Sequence, residues 1–265
     1  MILLSSGSLY NYGLNRVFEI ASKLGFDGVE IIIDDRYDTR DKLYLKRLEH
    51  EFNLSIIAFH VPPERVKFWG DPIKKLKKTI DLAENLEAKV VVCHSSLALD
   101  KSFFNWLVKN WSAIQKETKV EIAYENMPKT YSRKRKFKIF KQLVFLTWQV
   151  EKFSVFDKIC LDTSHLATAN LDIIETYKKL KKKIVHIHLS DSNFKPLKGR
   201  GIKDEHQLLG KGKLPLGKFL TLLKKTDYKG ALTLEFEPEN LKPEKEENVI
   251  KSLKDSLEFV KKYFK

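Results

Sequence analysis

Cysteine is nearly absent from the 265-residue chain: Cys93 and Cys160 cannot build a disulfide framework or a Cys-type zinc site, and they fit a reducing cytoplasm. Eleven glycines and eight prolines exclude collagen-like and linker-rich architectures. No run of about 18 apolar residues occurs, so no segment reads as a membrane span. The opening Met-Ile-Leu-Leu-Ser-Ser has neither a basic lead nor a cleavage site, which argues against a secretory signal. Acid is scarce relative to base, with 35 Asp and Glu against 49 Lys and Arg, a formal charge of +14. Such a surplus attracts phosphate-rich partners. A Lys/Glu-rich surface of a heat-adapted protein would look the same, and charge alone favours that plainer reading. What is present is a globular composition, 43% apolar and 32% charged, able to fill a large core.

Short apolar runs recur, each followed by a helical pattern. Strands are expected near 2–5, 28–33, 55–60, 89–94, 120–125, 158–162, 184–188 and 231–235. Runs such as Val-Val-Val-Cys (90–93) and Ile-Val-His-Ile-His-Leu (184–189) suit parallel strands covered on both faces. Leu14 to Leu24 has helical apolar spacing, with Gly25 as its stop; Asp71-Pro72 opens a helix to about Glu87; residues 239–264 make the last helix. Eight strand–helix alternations without a linker predict an α/β fold, a single (β/α)8 TIM barrel forming one domain over 1–265. The rival, a doubly wound open sheet, usually has a Gly-rich first turn, and Ser5-Ser6-Gly7-Ser8 is a poor one.

The informative pattern is positional. Strand ends carry His60, His94, Glu125, Asp162 (with His165 three residues on), His188 and Glu235, and the segment after 184–189 adds Asp204-Glu205-His206. Any one histidine after an apolar strand reads first as a packed structural residue. In a barrel, however, all C-terminal strand ends converge on one mouth. Carboxylates crowded there need raised pKa values or a cation among them. Imidazole plus carboxylate suits Zn²⁺ first and Mn²⁺ second.

Phe-His60, Cys-His94, Glu125-Asn126, Leu-Asp162-Thr-Ser-His165, His188-Leu-Ser-Asp191, Asp204-Glu-His206 with its following Leu-Gly-Lys-Gly, and Leu-Glu235 occur in an order and spacing that resemble the xylose isomerase-like barrel superfamily, and within it endonuclease IV of AP endonuclease family 2. The resemblance covers nearly the whole chain. It implies that Glu125 bridges two metals, that His60 and His94 complete the first, and that Asp162, His188 and Glu235 complete the second. His165, Asp204 and His206 would hold a third, so two or three zinc ions are implied. The implied activity is phosphodiester cleavage in DNA at abasic sites by a metal-bound hydroxide.

Basic residues are expected on the same rim: Arg36 and Arg40, Arg65 and Lys67, Arg133 and Arg135 within Ser132–Lys138, and Lys195, Lys198, Arg200 and Lys203. Four runs beside candidate metals read as a phosphate-tracking surface. Tyr37, Trp69, Tyr131 and Phe137 lie near these runs and could stack on or wedge between bases, although surface or core packing is the plainer reading of any one of them. Two elements point elsewhere. Gly-Val-Glu30-Ile and Glu125-Asn-Met-Pro resemble the sugar isomerase and epimerase branch, where one metal on Glu125, Asp162, His188 and Glu235 suffices and Glu125 and Glu235 form the acid/base pair. A small sugar or sugar phosphate is then the partner in place of DNA. No membrane or protein partner is expected on either reading. Asn126 and Asp191 are expected to support the ligands, His186 either to support them or to be a packed, hydrogen-bonded residue, Cys93 and Cys160 to fill the core, and His50 is assigned no role.

Overall fold

The computed structural model describes residues 1–95, 101–133, 141–144, 146–197 and 201–265. The chain runs β1 (Ile2–Ser5), α1 (Leu14–Leu24), β2 (Gly28–Ile32), α2 (Lys42–Phe52), β3 (Ile56–His60), α3 (Pro72–Asn85), β4 (Val90–Cys93), α4 (Ser102–Glu117) and β5 (Glu121–Glu125). A hairpin, β6 (Thr130–Arg133) with β7 (Lys141–Val144), and a short α5 (Val150–Phe153) follow. Then come β8 (Ile159–Asp162), α6 (Thr163–Thr168), α7 (Ile173–Leu180), β9 (Ile184–Leu189), the small ladder β10 (Pro196–Leu197) and β11 (Gly201–Ile202), α8 (Leu216–Lys225), β12 (Ala231–Leu234) and α9 (Glu246–Phe264). Eight parallel strands close in the order β1-β2-β3-β4-β5-β8-β9-β12, so the fold is a (β/α)8 barrel, as the alternation of apolar runs implies.

Local chemistry explains most boundaries. Gly25 sits at φ 77°, the left-handed conformation that ends α1. Asp41 and Asp71 cap α2 and α3, accepting from the backbone N–H groups of Leu43 and Tyr44 and of Lys74. The expected last helix is divided: a 3-10 turn covers Pro238–Leu241, Lys242 takes φ 53°, and α9 begins only at Glu246. Pro243 is the cause, because it restricts the preceding residue away from the helical region. The hairpin β6–β7 and the ladder β10–β11 were not foreseen in the sequence: β6 is largely polar, and β10 and β11 are only two residues each. Among the described residues, no helix is long and apolar enough to cross a membrane.

Two cores result. The larger lies between strands and helices; Tyr124 stacks on Phe156 there with ring centroids 3.9 Å apart, and Cys93 packs among these side chains. The smaller fills the barrel interior with Leu3, Ile57, Ala58, Val90, Val92, Ala123, Cys160 and Ala231. Strand side chains alternate with period two, so the residue two places beyond a floor residue faces the same interior. Ala58 is followed by His60, Val92 by His94, Ala123 by Glu125, Cys160 by Asp162, His186 by His188 and Thr233 by Glu235. A floor of small side chains, with His186 as the one large exception in this series, thus lies beneath a layer of donors at the C-terminal mouth. The ladder between β5 and β8 is short: it rests on the register pairs Tyr124↔Ile159 and Glu125↔Cys160 alone.

Candidate metal centre

The donors fall into three adjoining sets. Ligand atoms of His60, His94 and Glu125 lie within 4.8 Å of one another, as do those of Glu125, Asp162, His188 and Glu235, and those of Asp162, His165 and His206. Asp204 joins the third set, its carboxylate oxygens lying 3.3 Å from both His165 Nε2 and His206 Nε2. Glu125 belongs to the first two sets, and its side chain is almost wholly buried. All nine residues that the resemblance named therefore share one crater.

Hydrogen bonds fix how the rings face. His60 Nδ1–H donates to the Val61 carbonyl (2.7 Å), His94 Nδ1–H to the Ser95 carbonyl (3.0 Å) and His165 Nδ1–H to the Asn126 carbonyl (2.7 Å). Each bond spends the outer nitrogen and turns Nε2 toward the crater, which is how metal-binding imidazoles are held. His188 is reversed: Nε2–H donates to Glu30 (3.0 Å), and Nδ1 faces Glu125 Oε1 and Glu235 Oε2, each at 2.9 Å, with Asp162 Oδ2 at 3.8 Å.

The donor set fits a divalent cation. Asp162 Oδ1 accepts from the His165 N–H, whereas Asp162 Oδ2 and Glu235 Oε2 are buried without a hydrogen-bond partner. Burying a carboxylate oxygen unsatisfied costs about 1–3 kcal/mol or more, so several such oxygens aimed at one point call for a cation or protons. The acid–base balance agrees. Burial pushes the Asp162 carboxyl up to about 6. Burial opposes a charged His165, but Asp162 and Asp204 hold its imidazole at about 10. Burial likewise opposes charge on His206, yet Asp204 and Asp162 hold it well above the usual range. His94 departs from this: burial and the neighbouring His60 ring push it down to about 4, so it is neutral and ready to coordinate. Burial pushes both Cys93 and Cys160 thiols up, so they stay protonated, although Cys160 lies beside Glu125 and His188.

Supporting residues are of two kinds. Asn126 supports a ligand, as expected; its amide accepts from the Asp162 N–H (2.8 Å) and donates to the Asp162 carbonyl (3.1 Å). Asp191 holds no ligand; it gathers the N–H groups of Ser192, Gly210, Gly212 and Leu214 and so shapes the loop behind the third set. Sequence reading missed Ser164, Glu205 and Asn240. Ser164 Oγ donates to Asp204 (2.7 Å), and Asn240 Nδ2 donates to the Glu205 and His206 carbonyls, pinning the Asp204–His206 segment from both sides. Polar residues this common carry no signal of such a role. Glu30, read as a mark of the isomerase branch, is fully buried beneath His188, away from the open mouth.

The rim is less basic in effect than its sequence. Arg36 is committed inward, paired with Asp34 (2.6 Å) and donating to the Tyr12 carbonyl (2.9 Å). Lys195 reaches Glu205 at 3.4 Å. Arg65 and Lys67 line a cleft of about 640 Å³ with Phe68, Lys74 and Lys78. Trp69 is buried beneath Lys78 and offers no stacking face, whereas its neighbour Phe68 is 82% exposed. Tyr37 is exposed, with Arg40 over its ring. Arg135, Phe137, Lys198 and Arg200 lie outside the described residues, as do the side chains of Tyr131 and Arg133.

With this geometry in place, comparison with known proteins is informative. The chain is 27% identical over 277 residues to an uncharacterized protein of Mycobacterium leprae (strain TN), spanning 98% of this chain and 96% of that one. Among solved structures it resembles a D-tagatose 3-epimerase-like protein (TM-score 0.68, 24% identity, 98% of both chains). It also resembles an IolI protein with a binding zinc atom (TM-score 0.71, 21% identity, 99% of both chains). Endonuclease IV from Thermus thermophilus is similar too (TM-score 0.62, 17% identity, 98% of this chain and 99% of that one). At these identities the structures show the shared fold alone. The model of the xylose isomerase-like TIM barrel family matches residues 18–263, so the chain belongs to that family.

Proposed function

We propose that the chain is a metal-dependent phosphodiesterase acting on DNA at abasic sites, with zinc as the first choice of metal. One observation carries this reading. Four residues, Glu125, Asp162, His188 and Glu235, suffice for one cation, yet His60, His94, His165, Asp204 and His206 also aim donor atoms into the same crater. A single-metal isomerase gives these five no coordinating task, whereas a polynuclear hydrolytic centre uses all of them. His60, His94 and Glu125 would hold one cation; Glu125, Asp162, His188 and Glu235 a second; His165, Asp204 and His206 a third. Divalent ions so held supply Lewis acidity, acidifying a water and stabilising charge on phosphate oxygens. The chain's own part is to position them. Glu125 couples the first two sets, and the Nδ1–H bonds of His60, His94 and His165 fix the ring faces. Arg65 and Lys67 bring cationic charge to the loop after β3, and the exposed Phe68 ring beside them suits stacking on a base.

A duplex carrying one abasic analogue tests the reading: zinc- or manganese-loaded protein should nick it at the analogue, with metal analysis giving two or three equivalents per chain. An intact duplex at saturating protein rejects it. A sugar or sugar-phosphate isomerase or epimerase is the second reading. It is favoured by Glu125 and Glu235 converging on one point, each 2.9 Å from His188 Nδ1, two carboxylates that can serve as an acid/base pair. One metal equivalent and solvent-deuterium incorporation into a ketose would select it.

A further inference from the structure

Beneath the donors lies a buried cluster that neither reading uses. Glu30 is wholly buried, and it accepts from His188 Nε2–H (3.0 Å) on one oxygen and from His186 Nε2–H and Thr233 Oγ–H (2.8 and 2.7 Å) on the other. Two register shifts flank it, between Val29 and Glu30 and between Ile159 and Cys160, the latter opposite His186. Such irregularities re-aim strand side chains, and here they border the two residues that meet in the barrel interior. His186 Nδ1 is buried with no hydrogen-bond partner, while Nε2–H is directed at Glu30.

We propose that Glu30 is the positioning residue of the metal centre, holding the His188 proton on Nε2 and thereby presenting Nδ1 to Glu125, Asp162 and Glu235. An ionised carboxylate only accepts, so it imposes this orientation on every donor around it. Thr233 and His186 in turn fix the carboxylate. Glu30 touches no substrate position and acts through His188 alone. The inference rests on His188 being a metal ligand, as in the function proposed above.

The test uses the full chain with its histidines labelled in 15N, zinc as the only added ligand, and chelator competition for affinity. In the wild-type protein, His188 should keep its proton on Nε2, and Nδ1 should shift on zinc addition. In Glu30→Gln, the amide oxygen belongs beside the two donors, His186 and Thr233. The amide N–H then faces His188 Nε2, forcing the proton to Nδ1 and weakening zinc binding about 10–100-fold. Glu30→Asp keeps an acceptor-only group and should retain the Nε2 proton and recover part of the affinity. A purely structural role would lower the melting temperature of both variants without moving the proton.

The proposal is overturned if wild-type His188 lacks a proton on Nε2, with or without zinc, an observation that needs no variant to fold. It is equally overturned if Glu30→Gln leaves both proton and affinity unchanged, or if Glu30→Asp behaves as Glu30→Gln does. A wild-type protein that takes up no zinc while its His188 proton still follows Glu30 sinks the metal reading and leaves the positioning role standing.

Discussion

Glu125 is the single residue on which the centre turns, because it faces His60 at 3.2 Å on one side and His188 at 2.9 Å on the other. Glu125→Gln replaces one acceptor oxygen by a donor and removes the charge shared by two sets. Zinc affinity should fall by more than the roughly 10–100-fold typical of an outer partner, and equilibrium dialysis should show fewer equivalents bound. Unchanged stoichiometry would refute the bridging role. Arg65 and Lys67 make a different kind of contribution. If they meet DNA phosphates, alanine at either should weaken binding alike on all sequences and reduce the slope of log K against log salt by about one. An unchanged slope would place them outside the interface. Seven of the nine donors could be read from the sequence because each ends an apolar strand or follows one within three residues; Asp204 and His206, 15 and 17 residues beyond Leu189, were legible only through the resemblance. Glu30 could have been found on similar grounds, as a lone acid inside Gly-Val-Glu-Ile-Ile, but its partners His186 and Thr233 are 156 and 203 residues away, and only closure of the barrel makes them neighbours.

At the level of elements, barrel strands were legible because burial on both faces demands continuous apolar runs, and observed boundaries fall within a residue or so of the expected ones. Helix ends marked by Gly25 and Asp71-Pro72 were legible through capping chemistry. The start of α9 was misplaced because the expected helix ran through Pro243, where the backbone cannot continue one. Removing a cap isolates its worth: Asp41→Ala frees the Leu43 and Tyr44 N–H groups. It should cost about 0.5–2 kcal/mol in urea unfolding. Because α2 lies on the outer layer, zinc uptake should not change, and a loss of zinc would mean that the helix shapes the mouth after all.

For the whole molecule, cations and protons compete for the same crater. His165 has a folded-state pKa raised to about 10, above the ordinary imidazole value near 6.5. In the metal-free protein its contribution to stability is therefore complete below about pH 6.5 and is lost as pH rises through about 10. His206, also held well above the usual range, acts with the same sign. Zinc must displace these protons, so loading should release protons into a weakly buffered solution and should strengthen from pH 6 toward pH 8. Zinc affinity that is flat or falls over that interval would contradict the assignment. Bound metal should also stabilise the fold, by about 2.7 kcal/mol at a hundredfold excess over Kd, so the melting temperature should climb with metal concentration.

The short β5–β8 ladder gives this competition a mechanical side. Beyond its second rung no backbone pair continues the sheet; the Asn126 amide stands in for one, bonding to both the N–H and the C=O of Asp162. Just inside that seam, Glu125 and Asp162 belong to one donor set. A shared cation would therefore act as a rivet across the least-stitched joint of the ring. Stripping it with chelator should let amide deuterium exchange quicken first at residues 124–126 and 159–162, while the broader β8–β9 and β9–β12 joints stay protected. The reactive centre and the clasp that keeps the cylinder shut would then be one and the same object.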